Sequence, residues 1–400
     1  MNESTAQTTP KSIEDTTSTP PEVRTERISD DKLVIAEAAF SSASCTVSPP
    51  ISLTQFHESR GTRSAESISL LSKKRFSSIG GTESDAVGDI EDSAHDRLCQ
   101  RKKSKVNESL FDRFRRSRGL SVTDLTGTEW CEKQMEFVLC RGRPKPTKAM
   151  QAGSARHAEL EEEVIKRVKI GATTAEDRWA LKFANFIIGA NQLLLKGLTR
   201  ELPLVSFEKG VWMVGIIDEI RIPLTEAKRY ATLVDTKTRA VPKPPAKPQQ
   251  RIGRLQLMCY KRLWDNLVTS NFPSGKFFDF FTLNPHYVLP SEIKESMATY
   301  SITVETLTDL VDLYQNTCRR LPPAHDELLL RYELQKDQSL IGEDRFDNDD
   351  GWLDIKLKSC LEFWFEEREP SYTPEEERWK CRFCTFSSLC PVNSVAGPSL

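Results

Sequence analysis

Val211-Trp-Met-Val-Gly215-Ile-Ile-Asp218-Glu-Ile-Arg-Ile222, followed after a turn by Leu233-Val-Asp235-Thr-Lys237, is the stretch whose reading decides the fold. Both segments are short and rich in β-branched residues, as sheet strands are. Each nevertheless carries an acid where a core strand would stay apolar. A two-residue step puts Asp235 and Lys237 on one face of their strand. Pairing of the two strands would therefore gather Asp218, Asp235 and Lys237 at one end of a sheet. Two carboxylates there offer oxygen ligands to Mg2+, which takes a few carboxylates plus waters and phosphate oxygens. Lys237 would orient the attacking water or offset charge that develops on a phosphate. A bare D…DxK also fits a surface hairpin with a salt bridge, so the flanking sequence has to decide.

Working outward, 202–207 reads as a third strand and Lys209-Gly210 as its turn. Three helical patterns precede it. The first starts at a Ser121 or Thr123 cap, runs through Leu139 and holds Cys131 in its interior; the second covers 148–168; the third starts near Thr174. After the acidic strands, a helix runs from about Gln249 past Trp264, a strand is expected around 277–283, and an amphipathic helix over 304–318. The acid-rich stretch 336–351 reads as a solvated loop with no calcium-loop spacing, followed by a helix over 352–367. This order predicts an α/β core with a central mixed sheet flanked by helices, and helical additions.

The second and fourth helices bear on the acids. Gly153-Ser-Ala-Arg-His157-Ala-Glu-Leu-Glu161 places His157 and Glu161 four apart on one helical face, where His157 could complete a metal site. Every charge between Thr236 and Trp264 is positive, including Arg239, Lys243, Lys247 and Arg251. With Pro242, Pro244, Pro245 and Pro248, this loop suits a phosphate backbone running into the metal site. Gln256 and Tyr260, one turn apart, share a face and could hydrogen-bond a substrate.

Of the ten cysteines, Cys381, Cys384 and Cys390 form a C-x2-C-x5-C array followed by Pro391. Three thiolates need a fourth donor; Cys131 is the leading choice and Cys140 the competitor. A ligand from each end of the folded region would turn binding into folding free energy. From spacing alone, iron-sulfur and zinc are equally suited.

The chain of 400 residues is 38% hydrophobic, low for a globular protein, which implies a folded body diluted by a polar segment. Residues 1–110, dominated by Ser, Thr, Pro and acids, are expected to be that disordered tail, with 120–392 a single domain and 393–400 a flexible end. The basic stretch 101–118 fits a nuclear import signal, a phosphate-binding arm or a plain solvated charge run. No run approaches the roughly 18 apolar residues of a membrane helix, so no membrane role is expected. The acids among the first 30 residues and the missing apolar stretch argue against a signal or transit peptide.

Taken together, G153xxxH157, GxxD218, D235xK237 and Q256xxxY260, bracketed by Cys131 and C381xxC384x5C390, resemble the RecB-type branch of the PD-(D/E)xK nucleases, and most closely the eukaryotic exonuclease V family. The resemblance spans about 120–392. Asp235 stands where Glu is common in the superfamily, which keeps the carboxylate and shortens its reach. The resemblance implies a structural [4Fe-4S] cluster on Cys131, Cys381, Cys384 and Cys390. It also implies hydrolysis of single-stranded DNA from an end with Mg2+, or Mn2+ in its place, held by His157, Asp218 and Asp235. Lys237 would be catalytic, and Gln256 and Tyr260 would meet substrate; Glu201 in Arg200-Glu-Leu-Pro matches a less constant acidic position. The implied role is genome maintenance, by a monomer for which a single-strand-binding protein is a candidate partner. The basic stretch favours the nucleus, with a mitochondrion or other organelle as the alternative. The competing reading is a non-catalytic nucleic-acid-binding module with a four-cysteine zinc site.

Overall fold

The computed structural model describes residues 66–71, 108–164, 166–224, 229–270 and 272–394. Strand β1 (Glu66–Leu71) pairs in parallel with β3 (Lys166–Gly171). Most of the segment expected to be a disordered tail, including Arg101 to Lys105, lies outside the described residues, as does most of the end beyond 393.

The central sheet is mixed. Strands β4 (Leu198–Glu208) and β5 (Val211–Arg221) form a long antiparallel hairpin around the Lys209-Gly210 turn. The other edge of β5 is shared. Its start pairs with β2 (Leu120–Ser121) and its end, at Glu219 to Arg221, with β6 (Thr232–Arg239). Then β7 (Glu327–Leu334) joins β6 in parallel and β8 (Leu340–Asp347) closes the edge antiparallel to β7. The acidic strands are thus neighbours, as their sequence predicts.

Helices flank this sheet. After α1 (Leu110–Phe114), α2 (Val122–Trp130) begins at Ser121, whose hydroxyl accepts the Asp124 N–H in a capping box. The predicted first helix is in fact two: Cys131, with extended φ −171° and ψ 114°, breaks it between α2 and α3 (Glu132–Arg141). Helix α4 (Lys148–Glu162) is shorter than expected, because the chain turns into β3 where a helix to 168 was predicted. Helix α5 (Ala175–Lys196) starts at its predicted Thr174 cap and ends at Gly197, whose φ of 75° is left-handed. Helix α6 (Lys247–Val268) buries Ile252, Leu255, Leu263 and Trp264.

Two expectations fail here. The Phe-rich segment around 277–283 is helix α7 (Ser274–Phe281), not a strand, and 340–347 is strand β8, not part of a loop. Helices α8 (Ser291–Ala298), α9 (Leu307–Cys318) and α10 (Asp350–Trp364) follow, and a 3-10 segment (Glu375–Phe383) leads to the cysteines. The core centres on Trp179 and Phe183 of α5, with Trp212, Phe272, Phe277 and Tyr314 in ring contacts of 4.8–6.1 Å. No helix among the described residues is long and apolar enough to cross a membrane.

Candidate active site and cysteine cavity

The ladder between β5 and β6 ends at Glu219 and Val234, and the acids lie just beyond it. There the Asp218 carboxylate accepts the Thr236 N–H at 3.1 Å, standing in for a strand carbonyl. This holds Asp218 on the open edge of β5. Opposite it on β4 is Glu201, between the register pairs Arg200–Glu219 and Leu202–Ile217. Glu201 has φ +48° in the middle of a strand, a left-handed backbone that costs about 1–3 kcal/mol for a non-glycine residue. That twist brings its carboxylate to within 3.2 Å of His157 Nδ1 on α4, while Asp218 Oδ2 is 3.6 Å from the same nitrogen. Ligand atoms of His157, Glu201 and Asp218 all lie within 4.8 Å of one another.

Electrostatics make this site a demand for positive charge. Burial works against a charged His157, but the carboxylates of Asp218 and Glu201 overcome it and push the imidazole up to about 9. Burial raises Asp235, which is only 1% exposed; Lys237 pulls it back and Asp218 pushes it further, to about 7. Lys237 is buried too, which disfavours its ammonium, yet Asp235 and Asp218 hold it above its ordinary value. Its Nζ lies 3.1 Å and 3.0 Å from the Asp235 oxygens and donates to Gln256 Oε1 at 3.0 Å. Gln256 Nε2 in turn donates to Tyr260 Oη at 3.4 Å. Tyr260 packs on Gly215, where an added Cβ would come within 2.5 Å of its ring. The glycine of GxxD is therefore the space into which α6 fits.

The sequence-predicted residues are brought together with two adjustments. Asp235, expected at the metal with His157 and Asp218, pairs with Lys237, and Glu201, which matched only a less constant acidic position, stands beside His157 and Asp218 in its place. Behind the site, Arg200 donates to Leu160 O (2.5 Å) and pairs with Glu163 (2.5 Å) and Glu219 (2.8 Å), fixing α4 against β5. No sequence signal singled out Arg200, because its partners lie on two other elements.

The basic run divides. Arg251, expected at the substrate, pairs instead with Glu129 at 2.6 Å and Glu377 at 3.0 Å. Arg254 pairs with Asp344, Lys261 with Asp326, and Arg262 with Glu208 and Asp350, so these side chains tie α6 to its neighbours. Arg239 is nearly buried and donates to Lys243 O at 2.5 Å, which shapes the loop. Lys243 and Lys247 are exposed.

Away from the sheet, Cys131, Cys381, Cys384 and Cys390 line one cavity with Trp130 and Tyr372. All four are free thiols of intermediate exposure. Cys140 does not line it. Burial, with the charges of the other three cysteines, raises Cys384 to about 11. Burial and Cys131 also raise Cys381. Lys380 sits 4.3 Å from the Trp130 ring and pairs with Glu377, the acid that also holds Arg251. The cavity is thereby linked to α6. By contrast Cys259 and Cys318 are packing residues, which burial pushes up to about 12.

The family described as "Exonuclease V - a 5' deoxyribonuclease" matches residues 109–231, 223–317 and 289–391. A protein of Danio rerio, "Exonuclease V", is 28% identical over 298 residues, covering 72% of this chain and 74% of that protein. The matched region includes the cysteine cavity and all of His157, Glu201, Asp218, Asp235, Lys237, Gln256 and Tyr260. This chain is a nuclease that belongs to the exonuclease V family.

Proposed function

We propose that this protein hydrolyses single-stranded DNA from a 5′ end with a divalent cation, through a RecB-like PD-(D/E)xK core. The observation that carries the reading is the convergence of His157, Glu201 and Asp218 beside the Asp235–Lys237 pair. The 5′ direction rests on the family's description.

The residues fit Mg2+, with Mn2+ able to substitute. An imidazole and carboxylates face one point, and the proton on His157 marks where positive charge is wanted. Bound there, the cation supplies Lewis-acid stabilisation of charge on the phosphate. The chain's own residues do the rest. Glu201 and Asp218 fix the donor positions, Asp235 offers a further carboxylate, and Lys237 keeps a proton-bearing ammonium at the site. Gln256 and Tyr260 hold Lys237 in place from α6. A fixed donor of this kind, aimed where charge develops, commonly contributes about 10²–10³ in rate.

The cysteine cavity fits a [4Fe-4S] cluster on Cys131, Cys381, Cys384 and Cys390, which joins the two ends of the folded region and has no part in the chemistry. A role in DNA repair, in the nucleus, accords with such an activity. The zinc-bearing binding module has no comparable support, since it leaves the inward acids unexplained.

The test is digestion of single-stranded DNA labelled at either end, with and without Mg2+, on protein purified anaerobically and assayed for iron, sulfide and zinc. Iron with sulfide, and Mg2+-dependent release of label from the 5′ end that Asp235→Ala abolishes, is the expected result. Zinc-loaded protein that binds the strand without cutting it would overturn the reading.

A further inference from the structure

Gln335, just past β7, joins two basic loops. Its N–H donates to Arg239 O at 2.8 Å, and its Nε2 donates to Thr238 Oγ1 at 3.0 Å and to Ala149 O at 2.8 Å. The end of β6 and the first turn of α4 therefore meet at one side chain, and the loops adjoining them emerge side by side. Loop 142–147 reads Gly-Arg-Pro-Lys-Pro-Thr, and loop 240–246 reads Ala-Val-Pro-Lys-Pro-Pro-Ala. Each has Pro-Lys-Pro at its centre, and each is followed by a lysine at the first residue of its helix: Lys148 of α4 and Lys247 of α6.

Three further observations point to a polyanion. Lys145, Lys148, Lys243 and Lys247 are all exposed, and among the described residues no ion pair engages Lys145, Lys148 or Lys247, whereas the later cations of the run are paired. Neither loop contains an acid, and neither α4 nor α6 has one in its first turn, so the positive ends of both helix dipoles are left uncompensated. The prolines restrict both loops before anything binds, which lowers the ordering cost of binding. The place is also right. Lys148 lies nine residues before His157 on α4, about 14 Å along the helix axis, and Arg239 lies four residues after Asp235 on β6.

We infer that the two Pro-Lys-Pro loops form a paired clamp for the phosphate backbone of one DNA strand on its path to the metal site, with Lys145 and Lys148 opposing Lys243 and Lys247. The inference rests on the nuclease reading above and adds loop 142–147, with Lys148, to it. Lysines here act as point charges on phosphates rather than readers of bases, so the clamp accepts any sequence.

The experiment measures binding of a fluorescent oligothymidylate without divalent cation between about 50 and 200 mM salt. It compares wild type, K145Q/K148Q, K243Q/K247Q and the control K358Q, an exposed lysine of α10. Wild type is separately assayed for digestion with Mg2+. Each clamp variant should lower the slope of log K against log salt by about 1.4 and weaken binding about 25-fold at 0.1 M salt. Its thermal midpoint should stay at the wild-type level, and K358Q should match wild type throughout. A wild-type slope in K145Q/K148Q overturns the clamp and leaves the nuclease reading intact. An equal fall in K358Q overturns it too, because the effect would then be one of net charge. Wild-type protein that shows the full slope but does not digest the strand overturns the nuclease reading instead.

Discussion

A proton stands on His157 below about pH 9, held there by Asp218 and Glu201 against the effect of burial. Another stands on Asp235 below about pH 7, because burial and Asp218 outweigh Lys237. A cation entering the site must displace such protons, so cation affinity should rise with pH across this window. At pH 8 Asp235 is mostly ionised and His157 mostly charged, so Mg2+ binding should release about one proton. Calorimetry in two buffers of different ionisation heat reads this directly; equal apparent enthalpies would remove the imidazole from the ligand set. Asp218, Asp235 and Lys237 were legible in the sequence because charge stood where a strand should be greasy. The contribution of Glu201 was barely legible. It depends on a left-handed backbone at a residue type that gives no warning of it.

At the scale of elements, the approach of α6 to β5 decides whether Gln256 and Tyr260 reach the site. Gly215 permits it. In Gly215→Ala the new methyl would lie 2.5 Å from Tyr260 Cε1 and 3.1 Å from Val122 Cγ2, so α6 must shift. We expect a loss of about 1–3 kcal/mol in stability and a larger fall in cleavage rate than in strand affinity, read by denaturant unfolding and single-turnover digestion. Unchanged rate in a destabilised variant would mean that the helix position does not govern the chemistry. Strands β4 to β6 and helices α5 and α6 could be read from pattern because each has a single buried face or run. The segment 277–283 could not. Phe277, Phe278 and Phe281 are buried at helical spacing against Trp179 and Trp212, and tertiary packing overrode an aromatic composition that favours strands. Strand β8 was hidden for the opposite reason. It is a sheet edge whose charges, among them Glu343 and Arg345 paired with Arg331 and Glu327, keep it soluble and look like a loop.

For the molecule as a whole, the cysteine cavity lies where the two ends of the folded region meet, beside the Glu132 carboxylate that Arg368 and Ser371 hold. Cys131 lies between α2 and α3, and the other three cysteines follow the last long helix. Cys384→Ser should therefore lose bound iron and cooperative unfolding together, whereas Asp218→Ala should keep both and lose only cleavage; iron assay and thermal unfolding separate the two. A Cys384→Ser protein with a wild-type melting curve would show that the cavity closes without its fourth thiol. The order of the cysteines was visible from the start, but the break at Cys131 was not, since the pattern of apolar residues runs through it unbroken. The same arrangement imposes a schedule on biosynthesis. About 260 residues separate Cys131 from Cys390, so at roughly 5–20 residues per second the first thiol waits tens of seconds on the ribosome for its last companion. Throughout that interval Cys131 stands without its three later companions, so the cluster proposed above could be loaded only once the C-terminal cysteines have been made.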